Sequence, residues 1–227
     1  MAKISTMFSS SKGNCTYISS GKDSLLVDVG INCKQVLLAL EQRMFDPSGL
    51  GGIFITHCHS DHISGLRVLL KKINVPVYAS KETLGQLILE GAFNGKSRYY
   101  DIEDSPNLSM DIDVKFFRTS HDCEGSGGYV FTFGNGEKAA VCTDLGIVTE
   151  TVRNSLCGCN AVLIESNHDI KMLQNGPYPP ELKMRIASEK GHINNNACAA
   201  LLKELIGTGS YRFILGHLSE NNTEGDC

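Results

Sequence analysis

The chain has 227 residues, of which 41% are hydrophobic and 20% charged, with a formal net charge of −4. That length suffices for one good-sized core, and no apolar run approaches a membrane span, so no membrane partner is expected. The acidic balance argues against a dedicated, sequence-independent nucleic-acid binder, although an enzyme can still work through a local basic groove.

The N-terminus, Met1-Ala2-Lys3-Ile4-Ser5, carries no long apolar segment of the signal-peptide kind, which predicts a cytoplasmic protein. The nine cysteines agree: the count is odd, no C-x-x-C pair occurs, and reduced thiols are the expectation. No repeat, low-complexity tract or linker divides the chain, so residues 1–227 read as a single domain.

In chain order, Ser9-Ser10-Ser11-Lys12-Gly13-Asn14 reads as a turn whose backbone N–H groups can approach a phosphate. It lacks G-K-[ST] and is no Walker loop. Residues 24–28 form the first strand-like run and 52–56 a second. The second leads directly into Thr56-His57-Cys58-His59-Ser60-Asp61-His62, three imidazoles and a carboxylate in a loop leaving a buried strand. Residues 66–73 have helical apolar spacing, 75–78 are strand-like, and Ser80 suits the N-cap of a helix over 81–90.

Strand-like runs follow at 114–117, 129–133 and 139–143. His121 comes after the first of these, in Thr119-Ser120-His121-Asp122, and Asp144 after the third, in Cys142-Thr143-Asp144-Leu145-Gly146. Cys157-Gly158-Cys159 lacks the nearby partners that a zinc knuckle needs. The run at 161–164 leads into Glu165-Ser166-Asn167-His168-Asp169. Helices are predicted over 180–190 and 194–205, with Asn194 as N-cap and Gly207 as a stop. A last strand-like run, 211–215, leads into His217. Strands in succession with helices interspersed suit two packed sheets flanked by helices, a four-layer α/β sandwich.

Imidazoles and carboxylates at the ends of buried strands can be held rigidly while their heads reach a cleft. Such donors suit zinc, manganese or iron, and one carboxylate can bridge two ions. Taken singly, His121 and His217 could be ordinary loop histidines. His168 and His192 could be loop histidines, orienting groups or catalytic acids, and Glu165 or Asp169 could orient the His168 ring. Lys183 and Arg185 read as a solvated helix face or, with Lys71 and Lys72, as contacts to a nucleic-acid backbone.

The H-x-H-x-D-H run, followed in order by His121, Thr143-Asp144-Leu145-Gly146 and a late His217, resembles the binuclear metallo-β-lactamase-fold hydrolases. The resemblance implies that fold's αββα sandwich and two divalent ions, zinc or manganese, with iron as a further option. It implies His57, His59 and His121 on one ion, Asp61, His62 and His217 on the other, and Asp144 bridging. Asp28, in Leu26-Val27-Asp28-Val29-Gly30, matches an early aspartate that orients the metal loop.

A narrower match comes from residues 9–14 and 165–169, Tyr178-Pro179 with Leu182-Lys183-Met184-Arg185, residues 191–194, and His217-Leu218-Ser219-Glu220-Asn221-Asn222. These resemble the YycJ (WalJ) branch, similar in layout to tRNase Z without its exosite arm. That resemblance implies a DNA exonuclease acting 5′ to 3′ on double-stranded DNA. Two departures stand out. The branch usually carries a further helix and strand where this chain stops at Cys227, and Cys123 takes the place of a small residue.

The expected activity is therefore that of a binuclear metal-dependent phosphodiesterase acting on DNA with a metal-bridging hydroxide. Asp61 would orient the nucleophile, and His192 or His168 would protonate the leaving sugar oxygen. A small-molecule hydrolase of a lactone, thioester or cyclic phosphodiester is the alternative, and a non-catalytic metal-dependent regulatory protein a further one. A flavodiiron oxidoreductase fits less well, since that group carries Glu where this chain has His59.

Overall fold

A computed structural model describes residues 2–104, 108, 110–219 and 221–222; Met1, Glu220 of the late motif and Cys227 lie outside the described residues. The first half runs β1 (Lys3–Ser10), β2 (Gly13–Ser19), β3 (Ser24–Val27), α1 (Cys33–Gln42), β4 (Leu50–Phe54), α2 (Ser60–Ile63), α3 (Leu66–Leu69), β5 (Val77–Ala79), α4 (Lys81–Leu89) and β6 (Tyr99–Asp101). The second half runs β7 (Ile112–Arg118), β8 (Gly127–Phe133), β9 (Lys138–Cys142), α5 (Glu150–Leu156), β10 (Ala161–Glu165), α6 (Ile170–Asn175), α7 (Pro180–Ile186), α8 (Asn195–Ile206) and β11 (Arg212–Gly216).

Strands β1 to β6 make one sheet in sequence order, and β11-β10-β9-β8-β7 make the other. Both are mixed. The outer hairpins are antiparallel, while β3 to β6 and β9 to β11 are parallel.

Side-chain alternation along the strands builds the layers. In β3, Leu25 and Val27 join the apolar cluster between the sheets, whereas Leu26 joins the cluster under α1, α3 and α4. In β9 and β10, Ala139, Val141 and Leu163 point between the sheets, whereas Ala140, Val162 and Ile164 pack against α5 and α8. Three clusters thus fill the three gaps of a four-layer αββα sandwich, the expected architecture. Strands buried on both faces read as continuous apolar runs, which is why they were legible in the sequence. Phe54 stacks on Tyr78 at 4.7 Å and meets Tyr129 edge-on at 5.5 Å between the sheets. Each such buried side chain stabilises the fold by about 1.5–3 kcal/mol. The Tyr129 hydroxyl donates to Ile55 O at 2.6 Å, so the ring buries no unmet donor.

Some boundaries differ from expectation. The helix expected over 66–73 closes at Leu69, where the last turn tightens into three-residue bonds from Lys71 N to Val68 O at 3.3 Å and from Lys72 N to Leu69 O at 2.8 Å. The helix expected over 180–190 closes at Ile186, where His192 N returns to Ile186 O at 2.8 Å and folds the chain back. The caps fall as expected: Ser80 accepts from Thr83 N and Asn194 from Ala197 N. Cys157 and Cys159 flank a left-handed Gly158 after α5, and all eight described cysteines are free thiols. No helix among the described residues is long and apolar enough to cross a membrane.

Candidate metal centre

Every candidate metal ligand, and Asp28 behind them, leaves the C-terminal end of a strand. Asp28 follows β3, the His57–His62 loop follows β4, His121 follows β7, Asp144 follows β9, and His217 follows β11. Three of these residues, Asp28, Asp144 and His217, hold left-handed backbones at φ 61°, 57° and 52°. Such non-glycine conformations are costly and persist where the surroundings demand them. The surroundings here are main-chain bonds between loops: Val29 N to His62 O at 2.8 Å, Gly65 N to Val29 O at 2.9 Å, and Gly30 N to Asn14 O at 2.8 Å. Gly30 allows this closeness, since a Cβ there would lie 1.6 Å from Asp61 O.

The expected donors converge in overlapping groups. His57, His59 and His121 bring ligand atoms within 4.8 Å of one another, as do Asp61, His62 and His217. Asp144 lies between these groups: it converges with His57 and His62, and separately with Glu165, His192 and His217.

The outward nitrogens of these rings decide what the inward ones can be. His62 Nδ1 lies 2.8 Å from Asp28 Oδ2, and His217 Nδ1 lies 2.8 Å from Glu165 Oε1. His121 Nδ1 lies 3.1 Å from Gly191 O. Thr56 Oγ1 donates to Asp28 Oδ2 at 2.9 Å, so it accepts from His57 Nδ1 at 3.1 Å. Each acceptor fixes the ring proton on Nδ1 and leaves Nε2 as a lone pair aimed inward.

Those lone pairs face one another and the carboxylates. His62 Nε2 stands 3.1 Å from Asp144 Oδ2, and His217 Nε2 stands 3.2 Å from Asp61 Oδ2. His57 Nε2 and Asp144 Oδ2 are buried without a hydrogen-bond partner. A buried cage of acceptors is costly unless cations fill it. The residues therefore fit divalent ions, and imidazole with carboxylate suits zinc, manganese or iron.

Without ions, protons answer the same demand. Burial opposes charge on His217, yet the Asp144 carboxylate and hydrogen bonds to Asp61 and Glu165 push it up to about 10. Burial also opposes charge on His62, yet Asp144 and Asp28 hold it well above the usual imidazole range. His57 goes the other way, driven well below that range by burial and then by the neighbouring His62. Burial would raise Asp144, but His217, His62 and His57 keep it well below the usual carboxylate range.

Glu165 has a role that its sequence neighbourhood conceals. It is fully buried, and its Oε1 also meets His192 Nδ1 at 2.7 Å, while Oε2 accepts from Leu145 N at 3.0 Å. The sequence placed Glu165 beside His168; the structure pairs it instead with His192 and His217. Parallel register explains this, because Glu165 lies opposite Gly216, next to His217. His192 is thereby brought to the site, its ring 5.1 Å from both His121 and His217. His168 joins none of the converging groups; its Nδ1 lies 3.3 Å from its neighbour Asn167 Oδ1.

The segment expected as a turn over 9–14 is the end of β1, a tight turn at Ser11-Lys12 and the start of β2, and its strand residues support the centre from behind. Ser9 Oγ accepts from His217 N at 2.8 Å, and Asn14 Nδ2 lies 3.1 Å from His62 Nε2. Neither contact was evident from sequence. A pocket of about 290 Å³ opens beside His192 and His217, with Ser11, Asn167, Tyr178 and Arg185 on its walls. Lys183 is turned to Gln174 O at 2.8 Å, and Lys71 and Lys72 lie exposed after α3.

The metallo-beta-lactamase superfamily model matches residues 11–217. The chain is 34% identical to exodeoxyribonuclease YycJ of Bacillus anthracis over 221 residues, 96% of this chain and 83% of that protein. It is 34% identical to exodeoxyribonuclease WalJ of Streptococcus pneumoniae over 224 residues, 97% of this chain and 82% of that protein. Human tRNase Z, short form, superposes with a TM-score of 0.68 at 17% identity, covering 97% of this chain and 93% of that structure, a likeness of fold.

Proposed function

The chain belongs to the metallo-β-lactamase superfamily and is a metal-dependent hydrolase, and from that premise we propose that it is a binuclear exodeoxyribonuclease working 5′ to 3′ on duplex DNA. The observation that carries the reading is the pair of converging donor groups, His57-His59-His121 and Asp61-His62-His217, with Asp144 between them. The names of the YycJ and WalJ proteins, similar over almost the whole chain, support DNA as the substrate.

Divalent ions, zinc or manganese by donor chemistry, would supply Lewis acidity toward phosphoryl oxygens and make water a nucleophile at neutral pH. The protein's own groups supply the rest. Asp28, Thr56, Glu165 and Gly191 O fix the ring protons outward, so that no reorganisation is needed when charge develops. Asp61 is partly exposed; burial opposes its charge, but His217 and His62 keep it ionised, well below the usual carboxylate range, and it orients the incoming water. His192 acts as the acid. Burial disfavours its charge, but Glu165 at 2.7 Å raises it above the usual imidazole range, leaving Nε2–H to donate to the departing sugar oxygen. His168 borders a groove that His192 also lines, outside the converging donor groups.

Digestion of duplex DNA labelled at either the 5′ or the 3′ end tests the reading. Stepwise release beginning at the 5′ label, dependent on Zn²⁺ or Mn²⁺ and abolished by EDTA, is the expected result. Intact duplex beside efficient turnover of a lactone or a cyclic phosphodiester moves the protein to the small-molecule hydrolases.

A further inference from the structure

We propose that Asp122 is a positioning residue for His59 and that Arg185 holds Asp122 in place. The proposal rests on the binuclear reading, but it concerns metal binding and does not require DNA to be the substrate.

His59 stands apart from the other four imidazoles of the two groups. Their side chains are at most 3% exposed, and each has its outward nitrogen on a buried acceptor. The His59 side chain is 32% exposed. Its Nδ1 lies 3.1 Å from His121 Nε2, so Nδ1 is the nitrogen that faces its group and Nε2 is the outward one. Water competes for an exposed Nε2–H, and a ring free to turn is a poor ligand. The partner within reach is Asp122, whose Oδ1 lies 3.5 Å from His59 Nε2.

The same oxygen lies 3.4 Å from His121 Nε2. The His121 Nδ1–H donates to Gly191 O, which leaves its Nε2 without a proton, so His59 alone offers one to this carboxylate. Asp122 joins none of the converging donor groups, which separates it from the candidate ligands. Its other oxygen, Oδ2, accepts from Arg185 Nε on α7. A chain of charge-assisted contacts therefore runs from a surface helix through a guanidinium and a carboxylate to one imidazole. An ion on Nδ1 would make Nε2–H a stronger donor and tighten its contact with Asp122.

The test uses the full-length, metal-loaded protein without DNA. Ions released into a chelator are followed for the wild type, Asp122→Asn, Arg185→Lys and Arg185→Ala, with ions per chain counted at saturation and Co²⁺ absorption recorded. Asp122→Asn is expected to weaken one of two ions about 10- to 100-fold, leave the other unchanged and keep two sites at saturation. Arg185→Ala shifts the same ion by less, and Arg185→Lys recovers part of that loss. Unchanged release from Asp122→Asn overturns the proposal, and so does an equal shift of both ions with a lowered melting temperature. Saturation at one ion makes Asp122 a ligand and overturns it too. A wild-type chain that retains fewer than two ions removes the binuclear reading, and the proposal with it.

Discussion

Oε1 of Glu165 lies 2.8 Å from Nδ1 of His217, and the carboxyl group has no exposed surface. The same oxygen meets His192, so one carboxylate sets the tautomer of a candidate ligand and of the candidate acid. Glu165→Gln keeps the shape but loses the charge. Metal affinity should fall about 10- to 100-fold, and kcat should fall even at saturating metal. Wild-type kcat at saturating metal would show that His192 needs no such partner.

His192→Ala should lower kcat on DNA by about 10²- to 10⁴-fold. The same variant should lose far less on bis(p-nitrophenyl) phosphate, because p-nitrophenolate departs without protonation. Equal losses on both substrates would assign His192 to metal or phosphate binding instead of proton transfer.

Gly30→Ala pushes a methyl group into Asp61 O, where a Cβ would lie at 1.6 Å. The loop that carries Asp61 and His62 must shift, at a cost of about 3 kcal/mol. For a domain of this length that lowers the melting temperature by about 6–12 °C. Calorimetry measures the change, and an unchanged transition would mean that the two loops are not in contact as described.

The ion-free chain should lose stability as pH rises from 7 to 9. His217 is pushed up to about 10 when folded, against about 6.5 in a free chain. A raised imidazole adds stability that is complete below the unfolded value and disappears as pH climbs through the folded one. His62 shifts in the same direction. With ions in place of those protons, the loss should vanish, so the gap in melting temperature between loaded and EDTA-treated protein widens from pH 7 to 9. A constant or narrowing gap would contradict the protonation of His217 and His62 in the ion-free chain.

Much of the architecture was legible because its central strands are apolar on both faces. Leu25-Leu26-Val27 and Ala161 to Ile164 feed two clusters at once and leave no other reading. β1 escaped notice because Lys3–Ser10 is a serine-rich edge strand with Met7 its one buried side chain. The donors could be picked out since each follows such a strand, and H-x-H-x-D-H is dense. The supporting contacts could not. Glu165 reaches His217 through the register of β10 on β11, Ser9 reaches it across 208 positions, and Asp122 meets Arg185 across 63. Pairings of that kind exist only once the sheets are assembled, and adjacency in the chain pointed Glu165 at His168 instead.

The central claim is a two-ion centre shared through Asp144, and counting ions tests it most directly. Elemental analysis of the purified chain after desalting should find two divalent ions per molecule, and one or fewer in Asp144→Asn at the same protein concentration. A wild-type chain that binds a single ion, or an Asp144→Asn chain that still binds two tightly, would contradict the account.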